Sequence, residues 1–355
     1  MHKIISMSSD APFPPRRVVV LGLGGTIAMT PRDHGDGVVP QLSTAQLLAA
    51  VPGLADTGIT VETVDLRRLP SGSLTFADLA EVRTVIAKQF ADGVDGVVVT
   101  QGTDTIEETS YLLDLTHDRP EPIVVTGAMR NPGQAGADGP ANLLAAILTA
   151  ADPLARDLGV LVVLADEIHA ARRVRKSHTT SPGAFQSPDG GPLGVILEGR
   201  PRLLHRPTHR PIVPVPSGEL PHPRVGLYPV AFGDDGEALP DFAARLDGLV
   251  VAGFGGGHVP ERMVAPLARL AARMPVVLAC RTGAGASLAT TYAYPGSERD
   301  LLARGLIRAG FLDPYKARIL LHTLLTTTRD RDTIAAAFAV AGDYADPADW
   351  PWPSR

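Results

Sequence analysis

The sequence predicts an α/β fold: a larger N-terminal domain on a doubly wound, mainly parallel sheet, and a smaller C-terminal α/β domain. Three observations predict it. The 355 residues are more than one typical domain holds. Short runs of Val, Ile and Leu recur without alternation, as expected of strands covered by helices on both faces. Longer Ala- and Leu-rich stretches with helical spacing separate those runs.

Taken in order, residues 17–21 (RVVVL) read as the first buried strand. Residues 59–66 (ITVETVDL) alternate more and predict a less buried strand. A helix over 76–90 leads to a strand over 96–100 (GVVVT), and a helix over 105–115 to a strand over 122–126 (PIVVT). A helix over 142–151 and a strand over 159–164 (GVLVVL) complete the regular alternation. The pattern breaks after Gly194, and the proline-rich stretch 200–221 reads as an extended connection. Strands resume over 224–230, 248–252 and 275–279, with helices over 261–273, 299–309, 314–327 and 331–340. The domains are therefore placed at 14–199 and 223–355, with 200–222 as the linker.

Composition narrows the function. Lys and Arg number 33 against 38 Asp and Glu, for a net charge of -5, so no basic face points to nucleic acid. The lone Cys280 excludes an internal disulfide framework and any zinc site built on several cysteines. No apolar run approaches the ~18 residues of a membrane span, and the N-terminal stretch lacks a signal-peptide core. These features predict a cytoplasmic protein. The cations are almost all arginines; the lysines are Lys3, Lys88, Lys176 and Lys316.

In open α/β sheets, ligands bind outside the carboxyl ends of the strands. The first strand runs into GLGGTIAMT, where Gly24 and Gly25 allow close backbone approach and Thr26 follows directly. A dinucleotide turn would need a third glycine where Ile27 stands, and an acidic residue about 20 positions later; neither is present. A plain helix cap is the competing role for Thr26. The 96–100 strand opens into TQGTDTIEETSYLLDL. Thr105 with Glu108 fits a capping box, which leaves Thr103 and Asp104 unexplained. A hydroxyl beside a carboxylate suits an α-amino group and a reacting carbonyl. After 122–126, Gly127 and Ala128 present nearly bare backbone, and Asp138 fits the N-cap of the next helix. Past 159–164 stands Lys176, which otherwise reads as part of a solvated basic loop. A hydroxyl nucleophile needs a base, and lysine serves when burial or nearby cations lower its proton affinity. No GxSxG elbow or HExxH helix is present.

These segments resemble the bacterial-type L-asparaginases. GGTIA (24–28) is similar to the family's first threonine signature and TQGTDTIEETSYLLDL (100–115) to its second. TGAMR, ADGPANL, RKSHTTSPGAFQSPDGGPLG (175–194) and DPYKARILL (313–321) also resemble family segments, in family order along nearly the whole chain. The resemblance implies hydrolysis of L-asparagine to aspartate and ammonia through an acyl-enzyme, with neither metal nor organic cofactor. By matched position, Thr26 is the nucleophile, and Thr103, Asp104 and Lys176 form a second catalytic group. Ser71 matches the serine that holds the substrate α-carboxylate; Gly102 and Ala128 are placed as further substrate-binding positions. The resemblance also implies a homodimer or homotetramer in which a partner's C-terminal domain closes each site, with His258 of GFGGGHVP lining it.

Three departures matter, the first for assistance to the nucleophile and the last two for preference at the substrate α-amino group. Many relatives carry a lid tyrosine after the first threonine, whereas here no Tyr precedes Tyr111. The loop 29–39, expected to be a mobile lid, offers Thr30, Arg32, Asp33, His34 and Asp36 instead. His258 replaces the partner asparagine of several relatives, and residues 281–297 contain no acidic side chain. Alternatives are glutamine hydrolysis, the amidase subunit that supplies ammonia for tRNA transamidation, and a catalytically silent amino-acid-binding homologue. The transamidation subunit carries an extra N-terminal domain, whereas here the first strand is expected at Arg17.

Overall fold

The structure is a computed structural model that describes residues 16–31, 37–215 and 222–353. Strand β1 (Arg17–Gly22) is buried except at its start. A ribbon of β2 (Met29–Pro31) and β3 (Val38–Pro40) flanks the expected lid, whose residues Arg32, Asp33, His34 and Asp36 lie outside the described ones. Helix α1 (Thr44–Ala49) and helix α2 (Phe76–Ala91) each open on a capping box, Ser43 with Gln46 and Thr75 with Asp78. Between them, β4 (Thr60–Asp65) is the half-exposed edge strand that its alternation predicts. Next come β5 (Gly96–Thr100), α3 (Ile106–Thr116), β6 (Ile123–Thr126), α4 (Gly139–Ala151) and β7 (Val160–Leu164). The strands β5, β6 and β7 are buried throughout, as continuous Val/Ile/Leu runs require.

The sheet then changes direction. Ala165 and Asp166 both have positive φ (50 and 61), which suits a tight hairpin turn. They return the chain as β8 (Glu167–Ala170), antiparallel to β7. A two-residue ribbon, β9 (Arg175–Lys176) with β10 (Phe185–Gln186), stands apart from the sheet. Then β11 (Gly194–Leu197) and β12 (Arg200–Leu203) extend the sheet, giving the order β12-β11-β8-β7-β6-β5-β1-β4. The linker expected from residue 200 is corrected at its start, because 200–203 pairs with β11. Pro201 is tolerated there because β12 is an edge strand.

The smaller domain holds β13 (Val225–Pro229), α5 (Leu239–Phe242), β14 (Gly248–Gly253), α6 (Glu261–Arg273) and β15 (Val276–Cys280). It continues with α7 (Glu298–Ala303), β16 (Ile307–Arg308), α8 (Pro314–Leu325) and α9 (Arg331–Ala341). Its four strands are parallel, in the order β13-β14-β15-β16. The helix expected over 299–309 stops at Ala303; Gly305 takes φ 89, and Ile307–Arg308 pairs beside β15 instead.

One apolar cluster lies under α1 and α4 on one face of the large sheet, and another under α5 and α6 on the small one. The third joins the domains, with α2 and α3 contributing from one side and α8 and α9 from the other. Arg172 and Arg173 reinforce this junction by pairing with Asp343.

Candidate active site

The order β4-β1-β5-β6 contains a switch point. The chain leaves β1 toward β4 on one side, and it leaves β5 toward β6 on the other. A crevice therefore opens past the ends of β1 and β5. Thr26 follows β1 and Thr103 follows β5, so the two expected threonines flank the crevice.

Glycine sets how closely the strand ends approach. The Leu23 amide donates to Thr100 O at 2.9 Å. Gly25 has φ 86, and a Cβ there would stand 2.0 Å from the Gly102 nitrogen. A Cβ on Gly102 would in turn stand 2.8 Å from Ser71 Oγ. Gly25, Gly102 and Ser71 thus form a stack that no larger side chain permits, with Thr26 and Thr103 as the neighbours of its glycines. Ser71 is buried, and its hydroxyl has no hydrogen-bond partner among the described residues. Such a group is costly inside a protein unless a ligand completes it.

Lys176 completes the second group. Its Nζ donates to Thr103 Oγ1 at 2.9 Å and to Asp104 Oδ1 at 2.6 Å. The lysine side chain is 16% exposed and the Asp104 side chain 76%, so the carboxylate faces open solvent while the lysine side chain as a whole is mostly covered. The solvated-loop alternative for Lys176 is thereby set aside. The arrangement can move a proton at the Thr103 hydroxyl and offers a carboxylate to a ligand ammonium. Ala128 is buried at the end of β6; a Cβ on its neighbour Gly127 would stand 2.6 Å from Gln101 O, so this strand end abuts the same turn.

Two caps differ from expectation. Thr105 makes no side-chain cap; its hydroxyl donates to Ser71 O at 3.2 Å, because a 3-10 turn over Thr103–Thr105 precedes the helix. Asp138 does not cap α4 by its side chain; its carboxylate accepts from the Met129 and Arg130 amides, both at 2.9 Å. Both residues hold site loops in place rather than their own helices.

His258 stands apart from this group. Its polar and ring contacts are with Glu298, Tyr292 and Tyr294, all in the smaller domain. Nε2 lies 3.0 Å from Glu298 Oε2, and the Tyr294 hydroxyl lies 2.9 Å from Nδ1. Glu298 is fully buried, and its other oxygen accepts from the Thr291 and Tyr292 amides. Burial alone would raise its pKa, but these donors and the imidazole hold the carboxyl below its ordinary range.

Sequence reasoning missed three supporting residues. Glu298 lies one position beyond the 281–297 stretch that lacks acidic side chains. Buried Gln101 donates to Gly102 O and Thr105 Oγ1, both at 3.3 Å; its place inside TQGTD was the available signal. Buried Asn142 donates to Gly127 O at 3.0 Å and accepts from the Ala165 amide, tying the ends of β6 and β7. Its marks in the sequence were an amide inside the apolar α4 and its place in ADGPANL.

Among the described residues, no group of three or more His, Cys, Asp or Glu is placed to hold a metal ion, and no helix is long and apolar enough to cross a membrane. The asparaginase N-terminal family model matches residues 17–209, and the glutaminase/asparaginase C-terminal model matches 224–338. A probable L-asparaginase of Deinococcus radiodurans is 38% identical over 91% of this chain and 97% of its own length. L-asparaginase 2 of Escherichia coli is 36% identical over 90% and 92%. The crystal structure of a probable cytoplasmic L-asparaginase from Campylobacter jejuni superposes with a TM-score of 0.80 at 33% identity, covering 91% of this chain and 99% of that one. With one family model matching the larger domain and the other the smaller, in sequence order, the chain belongs to the asparaginase family.

Proposed function

We propose that the protein hydrolyses L-asparagine to L-aspartate and ammonia through an acyl-enzyme on Thr26. The observation that carries this reading is the Lys176–Thr103–Asp104 contact beside the Gly25–Gly102–Ser71 stack. The Thr26 hydroxyl attacks the side-chain amide carbon, its proton passes to the departing nitrogen, and ammonia leaves. Water, deprotonated through Thr103 and Lys176, then cleaves the ester to free aspartate and the Thr26 hydroxyl. Asp104 receives the α-ammonium, the unpartnered Ser71 hydroxyl receives the α-carboxylate, and Ala128 supplies backbone near the amide.

A second assignment of the nucleophile draws on one specific distance. Lys176 touches Thr103 directly, which is what an activated nucleophile requires. The test is an electrophilic asparagine analogue followed by peptide mapping, beside ammonia release by T26A and T103A. Label on Thr26, absent in T26A, supports the first assignment; label on Thr103 reverses the roles. Ammonia release at the wild-type rate by T26A refutes the first assignment. No ammonia from asparagine or glutamine with the unaltered protein supports the silent binder.

We further propose a homo-oligomer, dimer or tetramer, in which His258 reaches a partner's site. What supports it is a pre-positioned imidazole bound to Glu298 and Tyr294 and engaged, among the described residues, with no side chain of the larger domain. A cytoplasmic location is supported by likeness to the probable cytoplasmic Campylobacter protein. Fractionation of the host cell tests it.

A further inference from the structure

Among the described lysines, Lys316 alone is buried, at 1% exposure. It stands on α8 of the smaller domain, inside the DPYKARILL segment, to which the proposed mechanism gives no role. Its Nζ donates to Val174 O and, at 2.9 Å, to Asp313 Oδ2, and it lies 3.9 Å from Glu107 Oε2. Val174 stands two residues before Lys176, and Glu107 three residues after Asp104. One ammonium from the smaller domain therefore engages both segments that carry the Lys176–Asp104 pair.

Packing does not explain a charge in this place. A buried ion pair is costly, and apolar side chains in place of both Lys316 and Asp313 would often serve the fold as well or better. What an apolar chain cannot do is hold the Val174 carbonyl. That carbonyl needs holding, because the strand bearing Lys176 is a two-residue ribbon outside both main sheets. A second tie from the smaller domain acts at the next residue, where Arg175 Nη1 donates to Gly283 O at 2.5 Å. We propose that Lys316 is a positioning residue: by fixing Val174 O it sets the reach of Lys176 toward Thr103 and Asp104. The inference rests on the catalytic reading of Lys176 given above.

The test is Lys316→Met, with Lys176→Met measured beside it. A misplacement of about 1 Å in a catalytic group costs on the order of 10²-fold in rate. The expected result is a K316M that still folds, with a melting temperature lowered because Asp313 loses its buried ammonium, and, assayed well below that temperature, kcat lowered roughly 10- to 100-fold with KM within about threefold of wild type. A folded K316M with wild-type kcat overturns the proposal. Should K316M fail to fold, Asp313→Asn decides, since it keeps the ammonium and removes its carboxylate anchor: lowered kcat at unchanged melting temperature supports positioning, and unchanged kcat overturns it. The two readings fail separately. Wild-type kcat in K176M refutes the catalytic role of Lys176 itself, whereas loss in K176M with none in K316M refutes only the role of Lys316.

Discussion

Glu107 is one group through which pH acts on this fold. It sits in the first turn of α3, and burial pushes its pKa from an ordinary 4.5 to about 7. Lys316 lowers it and Asp313 raises it again, and burial wins because the lysine is already engaged with Asp313 at 2.9 Å. A raised carboxyl pKa means that the folded chain keeps a proton the unfolded chain has lost between about pH 4.5 and 7. Stability therefore falls as pH rises through that window, and the loss is complete above 7. At 1.36 kcal/mol per pKa unit, the loss is about 3 kcal/mol. Glu107→Gln removes the titration and keeps the shape. Chemical denaturation of both proteins at pH 5 and pH 8 is the assay. The wild-type minus E107Q stability should drop by about 2.5 kcal/mol from the lower pH to the higher, since part of the loss has already occurred at pH 5. An equal difference at both values, or one of opposite sign, refutes the argument that desolvation dominates at this carboxyl.

Ser71→Ala should raise KM for asparagine roughly 10- to 100-fold with little change in kcat, because a hydrogen bond to a charged group contributes about 1.5–3 kcal/mol; an unchanged KM removes Ser71 from carboxylate binding. Gly25→Ala should destabilise the chain by more than about 1 kcal/mol, given φ 86 and the approach to Gly102, and denaturant unfolding measures it. Hydrogen exchange in the loop 29–39 should slow on adding aspartate, and equal exchange with and without it argues against a lid. Mixing inactive T26A chains with inactive His258 variants should restore activity if sites are shared; no recovery despite proven subunit exchange refutes the partner role of His258.

Much of this was legible because the features are local. Continuous Val, Ile and Leu runs marked β1, β5, β6 and β7, and the residue types just past them marked Thr26, Thr103 and Asp104. The unread parts depend on what meets what. The prolines of 200–221 looked like a connection, yet Pro201 sits on an edge strand where its missing N–H does no harm. Asp138 and Thr105 had the pattern of helix caps, but nearby backbone competes for their side chains and wins. The open hydroxyl of Ser71 depends on a glycine 31 positions away in the chain, a relation that no local pattern carries.

The two domains divide the work unequally. The larger one supplies the threonines, the carboxylate and the glycine stack, all set by strands whose register is fixed by burial on both faces. Lys176 lacks that support, since it stands on a ribbon two residue pairs long. Its anchors, Lys316 on Val174 and Arg175 on Gly283, both cross to the smaller domain. The apolar cluster between α3 and α8 carries the same junction. Docking of the smaller domain is thus tied to the placement of the proposed proton-transfer group, and a change that loosens α8 should reach the chemistry through Lys176 before it reaches Thr26.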